Sequence, residues 1–175
     1  MGSSSAEVRQ DSWHPFVAAD YDRVRSTLLS LRRPGRPFLE WSSATGIVVM
    51  MPDLIDFDSC GIELNPSLVE LACGLAVGAC SNVRFAEVGF VPTGWEWKPR
   101  GGSGRHVGTI GRGRSGHLEP GCSLADSSVV YAFTWTGKKP MMLDLTRCHG
   151  HKDVLLVLHE AECGVQIFSG GRLES

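Results

Sequence analysis

VVYAFTWTGKKPMMLDLTRCHGHKDVLLVL, residues 129–158, is the stretch on which the fold turns. Val129–Trp135 is rich in β-branched and aromatic residues, the composition of a strand. Val154–His159 reads as a strand, and its unbroken apolar run Val154–Leu158 is that of a strand buried on both faces. Thr136-Gly137-Lys138 between them reads as a turn, and Pro140–Leu145 reads as a further short strand. Working outward, strands are expected at Phe38–Trp41, Gly46–Met51, Gly61–Leu64, Leu68–Val77, Val83–Phe90, His106–Ile110 and Val165–Phe168, with Gly, Pro, Asn and Asp between them. LVELACGLAV (68–77) also suits a buried helix. One amphipathic helix is expected over Ala18–Arg33. Tyr21, Val24, Leu28 and Leu31 recur at helical spacing, acids sit in its first turn, and Pro34-Gly35 ends it. The sum is a mainly β domain, a β-barrel or jelly-roll-like sandwich with one N-terminal α-helix, spanning 13–175 behind a polar tail at 1–12.

The composition fits one soluble globular domain. The chain has 175 residues, a net charge of -2 and 42% apolar residues. A near-neutral balance gives no long-range field to gather nucleic acid over the whole surface, so any basic patch is local. No apolar run approaches the roughly 20 residues of a membrane span, and the first residues lack a secretory pattern, so no membrane partner is expected. The expected compartment is cytoplasmic or nuclear. Cysteines at 60, 73, 80, 122, 148 and 163 form no Cys-x-x-Cys pair, and reduced thiols, mostly in the core, are expected of them.

Trp95–Gly116, WEWKPRGGSGRHVGTIGRGRSG, concentrates five basic residues and seven glycines. Glycine lets backbone N–H groups turn toward an anion, and arginine offers a planar cation that matches phosphate oxygens. The segment points to a phosphate-bearing ligand, a nucleotide or a nucleic acid, with Trp95 and Trp97 available to stack on bases. Three further pieces accompany it: Gly61-Ile62-Glu63-Leu64, Asp144 among apolar residues, and Gly170-Gly171-Arg172. Cys148, His149, His151, His159 and Cys163 are metal-type donors, but without a Cys-x₂-Cys knuckle they read as turn histidines and a core thiol, with no metal assigned. No Gly-x-Ser-x-Gly elbow supports a serine hydrolase.

Taken in order, GIEL (61–64), GRSG (113–116) and LDLTRCHGHKDVLLVLHEAECGVQIFSGGRL (143–173) resemble the motif series of the dUTPase and dCTP deaminase superfamily. The resemblance implies that Arg114, Ser115 and the N–H of Gly116 hold substrate phosphates. It implies that Asp144 positions the attacking water, that Arg172 serves a late turn, and that Glu63 stands in for an aspartate. It also implies a homotrimer, a deoxynucleotide substrate and Mg²⁺ bound through the triphosphate. Gly113 replaces a proline of the family's turn, Thr146 and Arg147 replace its base-stacking aromatic, and Val157 replaces the deaminases' glutamate. The expected function is deoxynucleotide binding, with hydrolysis of a deoxynucleoside triphosphate if the protein is active. Inactive viral relatives share the pattern. The alternative is a non-catalytic β-domain binding a protein partner or nucleic acid through the basic loop 98–116.

Overall fold

The computed structural model describes residues 19–97, 114–116, 121–134, 137–161 and 163–174. They build an open seven-stranded sheet with helices on both faces. In chain order the elements are α1 (Tyr21–Ser30), β1 (Pro37–Trp41), α2 (Ile47–Asp53), β2 (Asp58–Glu63), α3 (Pro66–Gly78), β3 (Arg84–Glu87), β4 (Val129–Phe133), α4 (Lys139–His149), β5 (Leu155–Glu160), β6 (Gly164–Ser169) and β7 (Arg172–Leu173). The sheet order is β3-β2-β1-β4-β5-β6-β7. The first five strands are parallel, and β6 and β7 close one edge antiparallel.

The β-barrel or jelly-roll expectation is therefore wrong. Three segments expected as strands are helical: Gly46–Met51 lies in α2, Leu68–Val77 in α3 and Pro140–Leu145 in α4. Short apolar runs do not separate helix from buried strand by periodicity, and here the turn chemistry decides. Asn65 caps α3 by accepting from the Ser67 N–H at 3.0 Å, and Pro66 starts it. Pro140 occupies the first turn of α4. Proline fits there because its fixed φ suits the helix and its missing N–H is one that turn leaves unbonded. The N-terminal helix is as expected, shortened to α1, with Asp20 capping Arg23 N. His106–Ile110 and the polar tail lie outside the described residues.

Parallel strands with helices on both faces must be apolar on both sides. Phe38, Leu39, Trp41, Val129, Val130, Tyr131, Ala132, Leu156, Val157 and Leu158 are all buried. On one face Phe38, Val129, Tyr131 and Val157 pack under α1 and α2 through Val24, Leu28, Val48 and Val49. On the other, Leu39, Cys60, Val130 and Leu156 pack with Met141, Met142 and Leu145 of α4 and with Cys122 and Leu124. Cys60 and Cys122 form a disulfide, Cα–Cα 5.5 Å, which corrects the expectation of reduced core thiols. The other four cysteines are unpaired and exposed.

Candidate ligand site at the carboxyl edge

The chain leaves β1 for β2 on one side and later returns on the other side as β4. Strand order reverses at β1, and in open parallel sheets the crevice outside such a reversal is where ligands bind. The residues there are Ser42-Ser43-Ala44-Thr45-Gly46, between β1 and α2. Alternate residues are left-handed: Ser42 at φ 54°, Ala44 at 47° and Gly46 at 75°. Ser and Ala rarely adopt this region, at a cost of about 1–2 kcal/mol each. Loop contacts must hold them there. Ser43 N–H donates to Ile62 O at 2.9 Å, and Gly46 N–H to Ser43 O at 2.7 Å. Gly46 is also required by space, since a Cβ there would lie 2.5 Å from Cζ of Phe85.

Glu63, at the end of β2, ties this loop to the neighbouring strand. Its Oε2 accepts from Ala44 N–H at 3.1 Å, and Oε1 accepts from Leu64 N–H at 2.8 Å and Asn65 N–H at 3.0 Å. A carboxylate has about four lone-pair positions, so this half-buried group keeps acceptor capacity toward the crevice. Glu40, one residue before the end of β1, is 5% exposed and accepts from the backbone of Val49 in α2. Among the described residues its Oε2 has no hydrogen-bond partner, nor has the buried Oγ of Ser43. Burial, and then the neighbouring charge of Glu63, push the Glu40 carboxyl well above its usual range, against the opposing Val49 bond. A buried acid with a free oxygen beside a second carboxylate favours a cation or hydrogen-bond donor as its neighbour.

Around this point the edge is built from the other parallel strands. Beyond β3, Gly89 N–H donates to Arg114 O at 2.7 Å and Gly89 O accepts from Gly116 N–H at 2.9 Å. This backbone clasp buries Ser115. Phe90 stacks on Trp41 with centroids 5.1 Å apart. At β4 and β5, the Tyr131 hydroxyl and His159 Nδ1 share a 3.1 Å hydrogen bond, and Thr134 N–H donates to His159 O. Burial lowers the His159 pKa.

The six residues expected to form one site do not converge. Glu63 and Arg114–Gly116 stand at the carboxyl ends of β2 and β3. Arg172 lies on β7, at the opposite edge of the sheet. Asp144 is on α4, where Trp97 Nε1 donates to Oδ2 at 3.1 Å and Arg147 pairs with Oδ1 at 3.1 Å. Most of the basic loop, 98–113, lies outside the described residues. Cys148 and His149 are on α4, His159 is on β5, and Cys163 is exposed in the turn to β6. Among the described residues no three His, Cys, Asp or Glu side chains are grouped to hold a metal. Sequence reasoning missed Glu40 and the loop 42–46. Glycine marks left-handed positions in a sequence, and Ser42 and Ala44 hide two of the three here.

No protein-family model matches the chain, and no curated protein matches it. Solved structures do. An RNA methyltransferase from Salinibacter ruber, in complex with S-adenosyl-L-homocysteine, superposes with a TM-score of 0.55 at 14% identity over 82% of this chain and 78% of its own. A SAM-dependent methyltransferase from Geobacter sulfurreducens, also with S-adenosyl-L-homocysteine, gives 0.53 at 12%, over 84% and 51%. One from Agrobacterium tumefaciens gives 0.50 at 12%, over 80% and 42%. The fold is the α/β methyltransferase fold. The chain spans between about two-fifths and four-fifths of the length of these neighbours.

This overturns the resemblance to dUTPases and dCTP deaminases. That series was assembled from short Gly-, Arg- and Asp-bearing turns, and its matched strand around Asp144 is a helix. Deoxynucleotide hydrolysis, Mg²⁺ held through a triphosphate and the homotrimer were implied by that resemblance alone and fall with it. The non-catalytic β-domain binding a protein or nucleic acid also falls, since the domain is α/β. Among the described residues no helix is long and apolar enough to cross a membrane.

Proposed function

We propose that the carboxyl edge of β1, β2 and β3 binds S-adenosylmethionine and that the protein is a methyltransferase. The observation that carries this is the loop 42–46, turned by alternate left-handed residues at the strand-order reversal and tied to the Glu63 carboxylate. The residues suit the group. Glu63, fixed by three backbone N–H bonds, has acceptor capacity left for sugar hydroxyls. Glu40, kept protonated by burial, has an oxygen unpartnered among the described residues that can hydrogen-bond the amino-acid portion. The small side chains of Ser42 and Ala44 keep the backbone accessible, and Gly89, held by its clasp, walls the β3 side. The bound cofactor supplies an electrophilic methyl group on a sulfonium. The chain's own residues position it, exclude water through the buried floor of Trp41 and Ile62, and hold the loop.

Equilibrium dialysis with radiolabelled S-adenosylmethionine tests the reading. Saturable binding is expected, at least tenfold weaker in Glu63→Ala and little changed in Arg172→Ala. Absence of binding at millimolar cofactor, by a protein shown to be folded, removes it.

A further inference from the structure

We propose that the Cys60–Cys122 disulfide is a redox latch that fastens the segment Gly121–Ser127 to the sheet and steadies the clasp at Gly89. Cys60 lies in the middle of β2, and Cys122 sits 62 residues later in a segment without helix or strand. The hydrogen bonds of that segment close on itself. Ser123 Oγ donates to Asp126 Oδ2 at 2.6 Å, Ser127 Oγ donates to Ser123 O at 2.7 Å, and Asp126 N–H donates to Ser123 Oγ at 3.2 Å. Among the described residues, backbone bonding to the sheet resumes at Ser128, whose N–H donates to Pro37 O. Among the described residues, the disulfide and the buried Leu124 side chain hold Gly121–Ser127 against β2, with Ser123 and Ser127 buried and the Arg84 side chain lying over Gly121. A few residues upstream, Arg114 and Gly116 grip Gly89 at the candidate ligand edge.

Segments held by few contacts open at low cost. Gly121, Ala125 and Asp126 are exposed, so opening brings Cys122 to solvent. A dithiol reductant then completes the exchange. Its thiolate attacks the Cys122 sulfur, the S–S bond breaks, and Cys60 leaves as a thiolate that takes a proton from water. The reductant's second thiol displaces Cys122 as its thiol and closes the oxidised reductant's own disulfide. Cys60 stays in β2 as a small buried thiol, which an apolar core tolerates. The loss is therefore confined to the segment and its clasp, while β1, β4 and β5 keep their pairing. The four exposed cysteines provide the internal count, since they react in both states.

Alkylation under denaturing conditions, followed by mass analysis, is expected to label four cysteines without dithiothreitol and six after it. Amide hydrogen exchange of Gly121–Ser127 in the native protein is expected to rise at least tenfold on reduction, to revert on reoxidation with oxidised glutathione, and to be raised permanently in Cys122→Ala. Amides of β1, β4 and β5 are expected to hold. The thermal midpoint is expected to fall by about 10 °C. Six labelled cysteines before reduction overturn the proposal. So does unfolding of the whole chain, or unchanged exchange in the segment, when the disulfide is opened. The link to the ligand edge rests on the cofactor reading. It predicts several-fold weaker S-adenosylhomocysteine binding after reduction, and equal affinity in both states refutes it. Binding in neither state refutes the cofactor reading instead, and the exchange data still decide the latch.

Discussion

At the residue scale, Glu40 concentrates the energetic tension of the candidate site. Its pKa is raised by burial, so the folded protein holds a proton that the unfolded chain releases above about pH 4.5. Stability from this group is full below that pH and is lost as pH rises through the folded-state value. Glu40→Gln keeps the acceptor for Val49 and removes the charge. Its thermal midpoint is expected to exceed the parent's at pH 7–8 and to converge with it near pH 4.5. A constant difference across that range contradicts the assignment. Gly46→Ala is expected to cost roughly 2 kcal/mol or more in urea denaturation, because the residue is left-handed and faces Phe85. Ala44→Gly should do the opposite and gain up to about 1 kcal/mol by relieving a left-handed alanine. Glu63 was visible in the sequence as an acid at a strand end, but its partners were not. The N–H groups of Ala44, Leu64 and Asn65 reach it only after the loop has turned.

At the element scale, helix and strand were confused where apolar residues run together. Ile47–Met51 and Leu68–Val77 carry no clean alternation, and β-branched residues in each favour a strand by propensity. Tertiary burial and the caps overrode that preference. Asn65-Pro66 stands between two runs expected as strands, yet the pair is a helix cap and first turn. Asn65→Ala is expected to cost about 1 kcal/mol in chemical denaturation, the usual loss of an N-cap. Pro140-Met141-Met142 hid α4 in the same way, and with it the crossover that makes β4 and β5 parallel. Leu145→Ala, fully buried between α4 and the sheet, is expected to cost about 2–5 kcal/mol. A cost below 1 kcal/mol contradicts the packing of α4. The strands themselves were legible: β1 to β6 each overlap an expected run, because apolar and β-branched residues cluster there.

At the scale of the whole molecule, correct strands gave the wrong architecture. A sequence of apolar runs closes into a barrel if each run is a strand, and opens into a layered sheet if every other run is a helix. Misreading α2, α3 and α4 removed the helical crossovers they form and left a mainly β chain with one N-terminal helix. The site followed the fold: short Gly and Arg turns took precedence over EWSSATG (40–46), whose meaning depends on the reversal of strand order at β1. The central claim is therefore positional, that one edge of the sheet receives an adenosyl ligand. Chemical-shift mapping of the isotopically labelled protein during titration with S-adenosylhomocysteine tests it most directly. The account predicts saturable shifts centred on the amides of Ser42–Gly46, Glu63, Leu64 and Gly89, with those of Arg172 and Leu173 still. Saturation with shifts centred on α4 or β7 instead, or no shifts at millimolar ligand, contradicts it.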